Sequence, residues 1–267
     1  MRIGRTRQLE RPAWVVHATG WYRMWHGLPM TRPCRPGRLH GMTDAPDLTA
    51  EQLLLLGRDR EAVEAALAGW HREVRPDTSG GPDMDGVQQL DEVIPLLRQV
   101  VGGLTPDQHD RCTPCTDFTV AGVLEHMIGG ATAFAPGFRG APASGGPAAG
   151  DVVQRWEAAI ADLLDSVHSP GAQERILATP FGEQSGASFA RYVAFDGLMH
   201  GWDLSTATGQ AYAPRDELVA AVDAYARELL VPEMRDGDTF AAEQPVGQDA
   251  SALERLVAFS GRNVPAG

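Results

Sequence analysis

Asp196, His200 and Asp203 stand four and three residues apart in the stretch FDGLMHGWDL, residues 195–204 of a 267-residue chain. On a helix those spacings place all three side chains on one stripe. Phe189, Tyr192, Val193 and Met199 fall on the same stripe, the pattern of a face that packs inward. An ionised carboxylate on an inward face is costly unless it is paired or bound to a metal. Asp196 and His200, at i and i+4, can hold one ion between them. Helical bundles build such sites in their cores from inward side chains on facing helices.

His126 supplies a third ligand from an earlier helix. Its neighbours on the same helical face are Gly122, Gly129 and Gly130. Glycine costs a helix interior about 1 kcal/mol relative to alanine, so three glycines around one imidazole imply space for a metal, a ligand or a facing helix. Two imidazoles and one carboxylate leave coordination positions open, as a catalytic site requires. Zinc fits by ligand type, and iron, nickel and manganese are compatible. Asp203 reads as an acceptor that orients a ligand imidazole rather than as a fourth ligand. The competing reading of these residues is a polar network without metal.

Other candidates are weaker. Cys112 and Cys115 have the CxxC spacing of half a zinc site or of a redox pair, but there is no second CxxC, so they read as two loop thiols before a helix. His109 falls in a polar turn, and His168 ends a helix, where a cation suits the dipole. His17, His26, His40 and His71 lie in or near the N-terminal extension. Glu125 points about 100° away from His126 and is expected at the surface. No nucleophile elbow, phosphate loop or dinucleotide fingerprint occurs.

The elements that must position these residues are helical. Residues 85–104 repeat apolar side chains at helical spacing, with Pro95 inside. Residues 119–135 form a second helix with Thr119 as N-cap. Residues 136–150 read as a flexible connection, and residues 151–169 as a third, amphipathic helix. Residues 172–185 read as an irregular loop or short hairpin. Residues 188–209 make a fourth helix, with Ser185 or Ser188 near its start and Gly209 as its stop. Pro214 opens a fifth helix, and residues 249–261 give a last short one. The fold class is therefore all-α, a four-helix bundle with additional C-terminal helices.

Residues 1–83 read as an N-terminal extension with a helix over 49–74, and the compact domain as residues 84–267. Residues 1–41 carry eight Arg against one acid, and residues 84–267 carry eleven Arg against twenty-five acids. An acidic domain excludes the basic face that nucleic acid needs, and it disfavours an anionic membrane surface. No run of about eighteen apolar residues predicts a membrane span. Three cysteines fit a reducing cytoplasm better than a disulfide scaffold.

Three blocks in order, CTPCTDFTVAGVLEHMIGG, FDGLMHGWDLSTATGQ and DASALERLVAFSGRNVP, resemble the metal-binding family related to mycothiol-dependent maleylpyruvate isomerase. That family belongs to the DinB-like (YfiT-like) helical bundles of high-GC actinobacteria, and the resemblance spans residues 84–265. It implies a divalent metal, zinc by preference, held by His126, Asp196 and His200. The characterised isomerase looks to have Glu at the position of Asp196, and a further C-terminal domain that is not expected here. The resemblance also implies mycothiol as co-substrate and a small electrophile as substrate, in a transfer or isomerisation reaction. A non-catalytic metal-binding or sensing module and a metal-activated hydrolase are the alternatives. A homodimer is left open as the assembly.

Overall fold

The computed structural model of the chain describes residues 84–115, 118–141, 149–179, 182–232, 235 and 240–264. The N-terminal extension, its helix over 49–74 and the boundary before residue 84 lie outside the described residues.

The described residues contain six α-helices, a 3-10 turn at Pro106–Gln108 and one short hairpin, an all-α architecture as expected. Helix α1 (Gly86–Gly102) begins at a capping box: the Asp85 carboxylate accepts from the Val87 and Gln88 amides, and the Gln88 side chain accepts from the Asp85 amide. Pro95 is accommodated inside α1 on its exposed side. Helix α2 (Val120–Arg139) is capped by Thr119, whose hydroxyl accepts from the Gly122 amide, and it ends at Gly140 with φ +71°. Helix α3 (Val152–Val167) has a second capping box, from Asp151 and Gln154. Strands β1 (Ile176–Thr179) and β2 (Gly182–Ser185) pair antiparallel, with Ile176 opposite Ser185. Helix α4 (Gly186–Thr208) starts at Ser185 and stops at Gly209, also left-handed at φ +71°. Helices α5 (Asp216–Leu229) and α6 (Ala252–Phe259) follow, the latter capped by Ser251 and Glu254.

The second helix runs four residues further than the sequence predicts. Pro136 removes one backbone donor, which deprives the carbonyl of Thr132, and Thr132 lies at the surface where water can replace the bond. Phe138, buried in the core, and Arg139, which donates to Ser166 and Asp162 of α3, hold the extra turn in place.

The bundle is built as two helix pairs. Helix α2 packs most closely on α3, and α1 on α4, while α2 meets α4 along a sparser seam. Gly197 lets α1 approach: a Cβ there would lie 3.0 Å from Val93 Cγ1 and 3.3 Å from Leu97 Cδ1. The core between the pairs holds Leu90, Leu97, Leu124, Phe189, Phe195 and Leu198, all buried. Each such side chain stabilises the fold by about 1.5–3 kcal/mol relative to leaving it exposed. No helix among the described residues is long and apolar enough to cross a membrane.

Candidate metal centre

The polar stripe of α4 faces the seam between the two helix pairs, and His126 of α2 meets it there. His126 Nε2 lies 3.6 Å from Asp196 Oδ1, and His200 Nε2 lies 3.5 Å from the same oxygen. The two imidazoles are 4.8 Å apart between centroids and stand edge to face. One ligand atom from each of His126, Asp196 and His200 lies within 4.8 Å of the other two, a group able to hold a metal ion. Both imidazoles are buried, whereas the Asp196 side chain is 29% exposed. The cluster therefore has a dry wall and one open side.

Asp203 lies on the other side of His200 and is fully buried. His200 Nδ1 and Asp203 Oδ2 are 3.0 Å apart. Asp203 also accepts two bonds from Arg262: Nε to Oδ1 at 2.8 Å and Nη2 to Oδ2 at 2.9 Å. A carboxylate that is held by a guanidinium can only accept, so His200 Nδ1 carries the proton and donates it. In the neutral imidazole that leaves the Nε2 lone pair for the Asp196 side.

The charges are strongly coupled. Burial works against ionisation of Asp196, but the charge of His200 and the close imidazole of His126 outweigh it and hold the carboxyl far below the usual carboxylate range. Burial likewise works against a charged His200, but Asp196 above all, with Asp203, pushes its pKa up to about 9. For Asp203, burial is outweighed by the Arg262 charge and the bonds from His200 and Arg262, and its carboxyl is lowered.

The structure brings together the four residues favoured in the sequence and adds Arg262, which was not singled out, and Cys115, which was set aside as a loop thiol. Arg262 follows the last helix, and its only signal was its place in the third block of the family resemblance. Cys115 lies in the loop before α2, and Cys115, His200 and Asp203 form a second group with ligand atoms within 4.8 Å of one another. The loop position of both cysteines holds, but Cys112 is disulfide-bonded rather than a thiol, and this loop lines the site. Both oxygens of Asp203 are already taken by Arg262, so this second group has no carboxylate oxygen to give wholly to an ion.

The glycines near His126 do less than their types suggest. Phe118 fills the flank of Gly122, and its ring centroid is 5.3 Å from that of His126. Phe134 of the same helix covers Gly130, and only Gly129 faces open space. Glu125 is half-buried rather than on the surface, because Arg155 of α3 reaches it, with one bond of 2.9 Å. His168 pairs at 2.8 Å with Asp91 of α1 and takes no part in the cluster. His109 is in neither candidate group, while His17, His26, His40 and His71 lie outside the described residues.

Comparison with known sequences bears on the same residues. Residues 90–205 match the sequence model of the mycothiol maleylpyruvate isomerase N-terminal domain. Two uncharacterized proteins of Mycobacterium tuberculosis, one from strain CDC 1551 / Oshkosh and one from strain H37Rv, are each 33% identical over 183 residues. That span is 68% of this chain and all of each relative. The chain belongs to this family. The matched region of the mycothiol maleylpyruvate isomerase N-terminal domain contains His126, Asp196, His200 and Asp203, while Arg262 lies beyond it. No solved structure matches the chain significantly.

Proposed function

We propose that this protein is a metal-dependent enzyme that uses a low-molecular-weight thiol, mycothiol by family kinship, to transfer it to, or with it isomerise, a small electrophilic substrate. The supporting observation is the convergence of two Nε2 atoms on one oxygen of Asp196 at 3.5 and 3.6 Å. Those separations are too long for good hydrogen bonds. Ligand atoms bound at about 2.1 Å to one tetrahedral zinc ion sit roughly 3.4 Å apart, so the cluster fits a shared ion. Two imidazoles and a carboxylate favour zinc over the harder divalent cations.

A divalent ion bound here would supply a Lewis-acidic centre that lowers the pKa of a thiol reaching its open positions. The chain's own residues do the rest. His126 and His200 come from different helix pairs and fix the width of the site. Asp196 contributes negative charge on the open side, where a small molecule enters. Asp203 holds the tautomer of His200. The same reading takes residues 84–267 as the functional domain, since 183 residues of this chain suffice to span the relatives from end to end.

Zinc titration of metal-stripped protein, with melting followed at each concentration, tests the ligand set. Zinc should stabilise the wild type by linkage, by about 2.7 kcal/mol at a hundredfold excess over Kd, and so raise its melting temperature, and should raise that of Asp196→Asn far less. Without zinc, Asp196→Asn should be less stable than the wild type near neutral pH, because it removes the carboxylate that pairs with the buried, protonated His200. Equal zinc-induced shifts would remove Asp196 from the ligand set. Assays of a model electrophile then separate the activities. Turnover only with added thiol supports the proposal, thiol-independent hydrolysis favours the hydrolase, and zinc binding without turnover favours a binding module.

A further inference from the structure

The chain reaches the cluster once more, from beyond its last helix. Helix α6 is capped by Ser260, and Gly261 then turns the backbone with φ +96°. A Cβ at residue 261 would lie 2.8 Å from the Ala241 carbonyl oxygen, so both the dihedral and the space require glycine. The Arg262 amide bonds back to the Val257 carbonyl at 3.3 Å, and Arg262 Nη1 donates to Ser260 Oγ at 3.1 Å. This turn sends a side chain only 12% exposed into the site, where it grips both oxygens of Asp203.

We propose that Arg262 is a positioning residue of the metal centre: it fixes Asp203, Asp203 fixes the Nδ1–H of His200, and His200 thereby aims Nε2 at Asp196 and His126. The purpose given to this relay rests on the metal reading above, but the relay itself exists without metal. Asp203 and His200 are one turn apart on the same helix, and a pair so local can swing together. The restraint on their joint orientation comes from a residue 59 positions away in sequence. A planar guanidinium with two parallel donors fixes the plane of a carboxylate, whereas a lysine ammonium supplies charge without that fork. The site is thus complete only when the segment after α6 is docked.

Wild type, Arg262→Lys and Arg262→Gln full-length chains, stripped of metal, provide the test. Cobalt(II) titration followed by its visible absorption reads both affinity and ligand geometry. Nitrogen-15 spectra of the metal-free proteins, recorded at a pH high enough that the His200 ring is neutral, read its tautomer. The wild type should bind cobalt and show the Nδ1–H tautomer. Arg262→Lys, which retains the charge, should stay folded, bind cobalt at least tenfold more weakly and change the band pattern. Arg262→Gln should lose the single tautomer. If Arg262→Lys matches the wild type in affinity and spectrum, the positioning role is overturned. If the wild type binds no cobalt yet the tautomer depends on Arg262, the metal reading fails while the relay stands. A tautomer indifferent to Arg262→Gln overturns the relay whatever the metal does.

Discussion

Two carboxylate–guanidinium pairs mark opposite extremes of burial in this molecule. Arg98 of α1 and Glu157 of α3 meet through bonds of 2.6 and 3.0 Å, with side chains 40% and 47% exposed. Asp203 and Arg262 meet through bonds of 2.8 and 2.9 Å, with side chains fully buried and 12% exposed. Water solvates the first pair in either state, so pairing changes little. Both members of the second have given up water, and each now depends on the other. A buried pair is a poor way to stabilise a bundle compared with apolar packing. Its presence beside His200 is understandable as the means of holding one imidazole in one orientation, at a cost in desolvation that a purely structural core would avoid.

The comparison can be broken most severely at Asp203. Asp203→Ala should cost about 3–5 kcal/mol, since it strands a buried guanidinium. Urea unfolding checks this, and a loss below roughly 1 kcal/mol would show that Arg262 escapes to solvent without penalty. The next effect is one of pH. The metal-free His200, its pKa pushed up to about 9, lies above the ordinary histidine value of about 6.5. Its contribution is therefore fully present below about pH 6.5 and is lost as pH rises through about 9, with an upper bound of about 3 kcal/mol. Zinc displaces that proton, so the zinc-loaded protein should lack this slope. Unfolding midpoints measured across that range, with and without zinc, would contradict the coupling if both series were flat. The smallest effect belongs to the exposed pair: Glu157→Gln should change stability by less than about 1 kcal/mol, and added salt should erase even that. A larger, salt-resistant loss would mean that the α1–α3 contact does more than its exposure implies.

The helices were legible because their signals are local. Thr119 and Ser185 announce starts, Gly209 allows a left-handed stop, and the apolar spacing between such signals names the inward faces, while the caps at Asp85, Asp151 and Ser251 and the stop at Gly140 emerged only from the structure. The one overrun, past Pro136, occurred where burial of Phe138 outweighed a missing hydrogen bond. Asp196, His200 and Asp203 were legible as well, because i, i+3 and i+4 fix their common stripe before any tertiary contact forms. His126 needed a guess that two helices face each other, and its glycine neighbours pointed to space that Phe118 and Phe134 partly occupy.

The sequence by itself determined an all-α chain with one helix bearing charge on its inward stripe, since periodicity and capping act over a few residues. It also contained the family resemblance, which is a matter of residue order. Only the tertiary structure decided which side of His200 each carboxylate takes, that Cys115 lies beside them, and that Arg262 closes on Asp203 from behind. These relations join residues separated by 59 positions or more along the chain, apart from the pairs within α4. No local period records them. They follow from how α2, α4 and the segment after α6 pack together, where burying a charge is tolerable only if its partner arrives from another part of the chain.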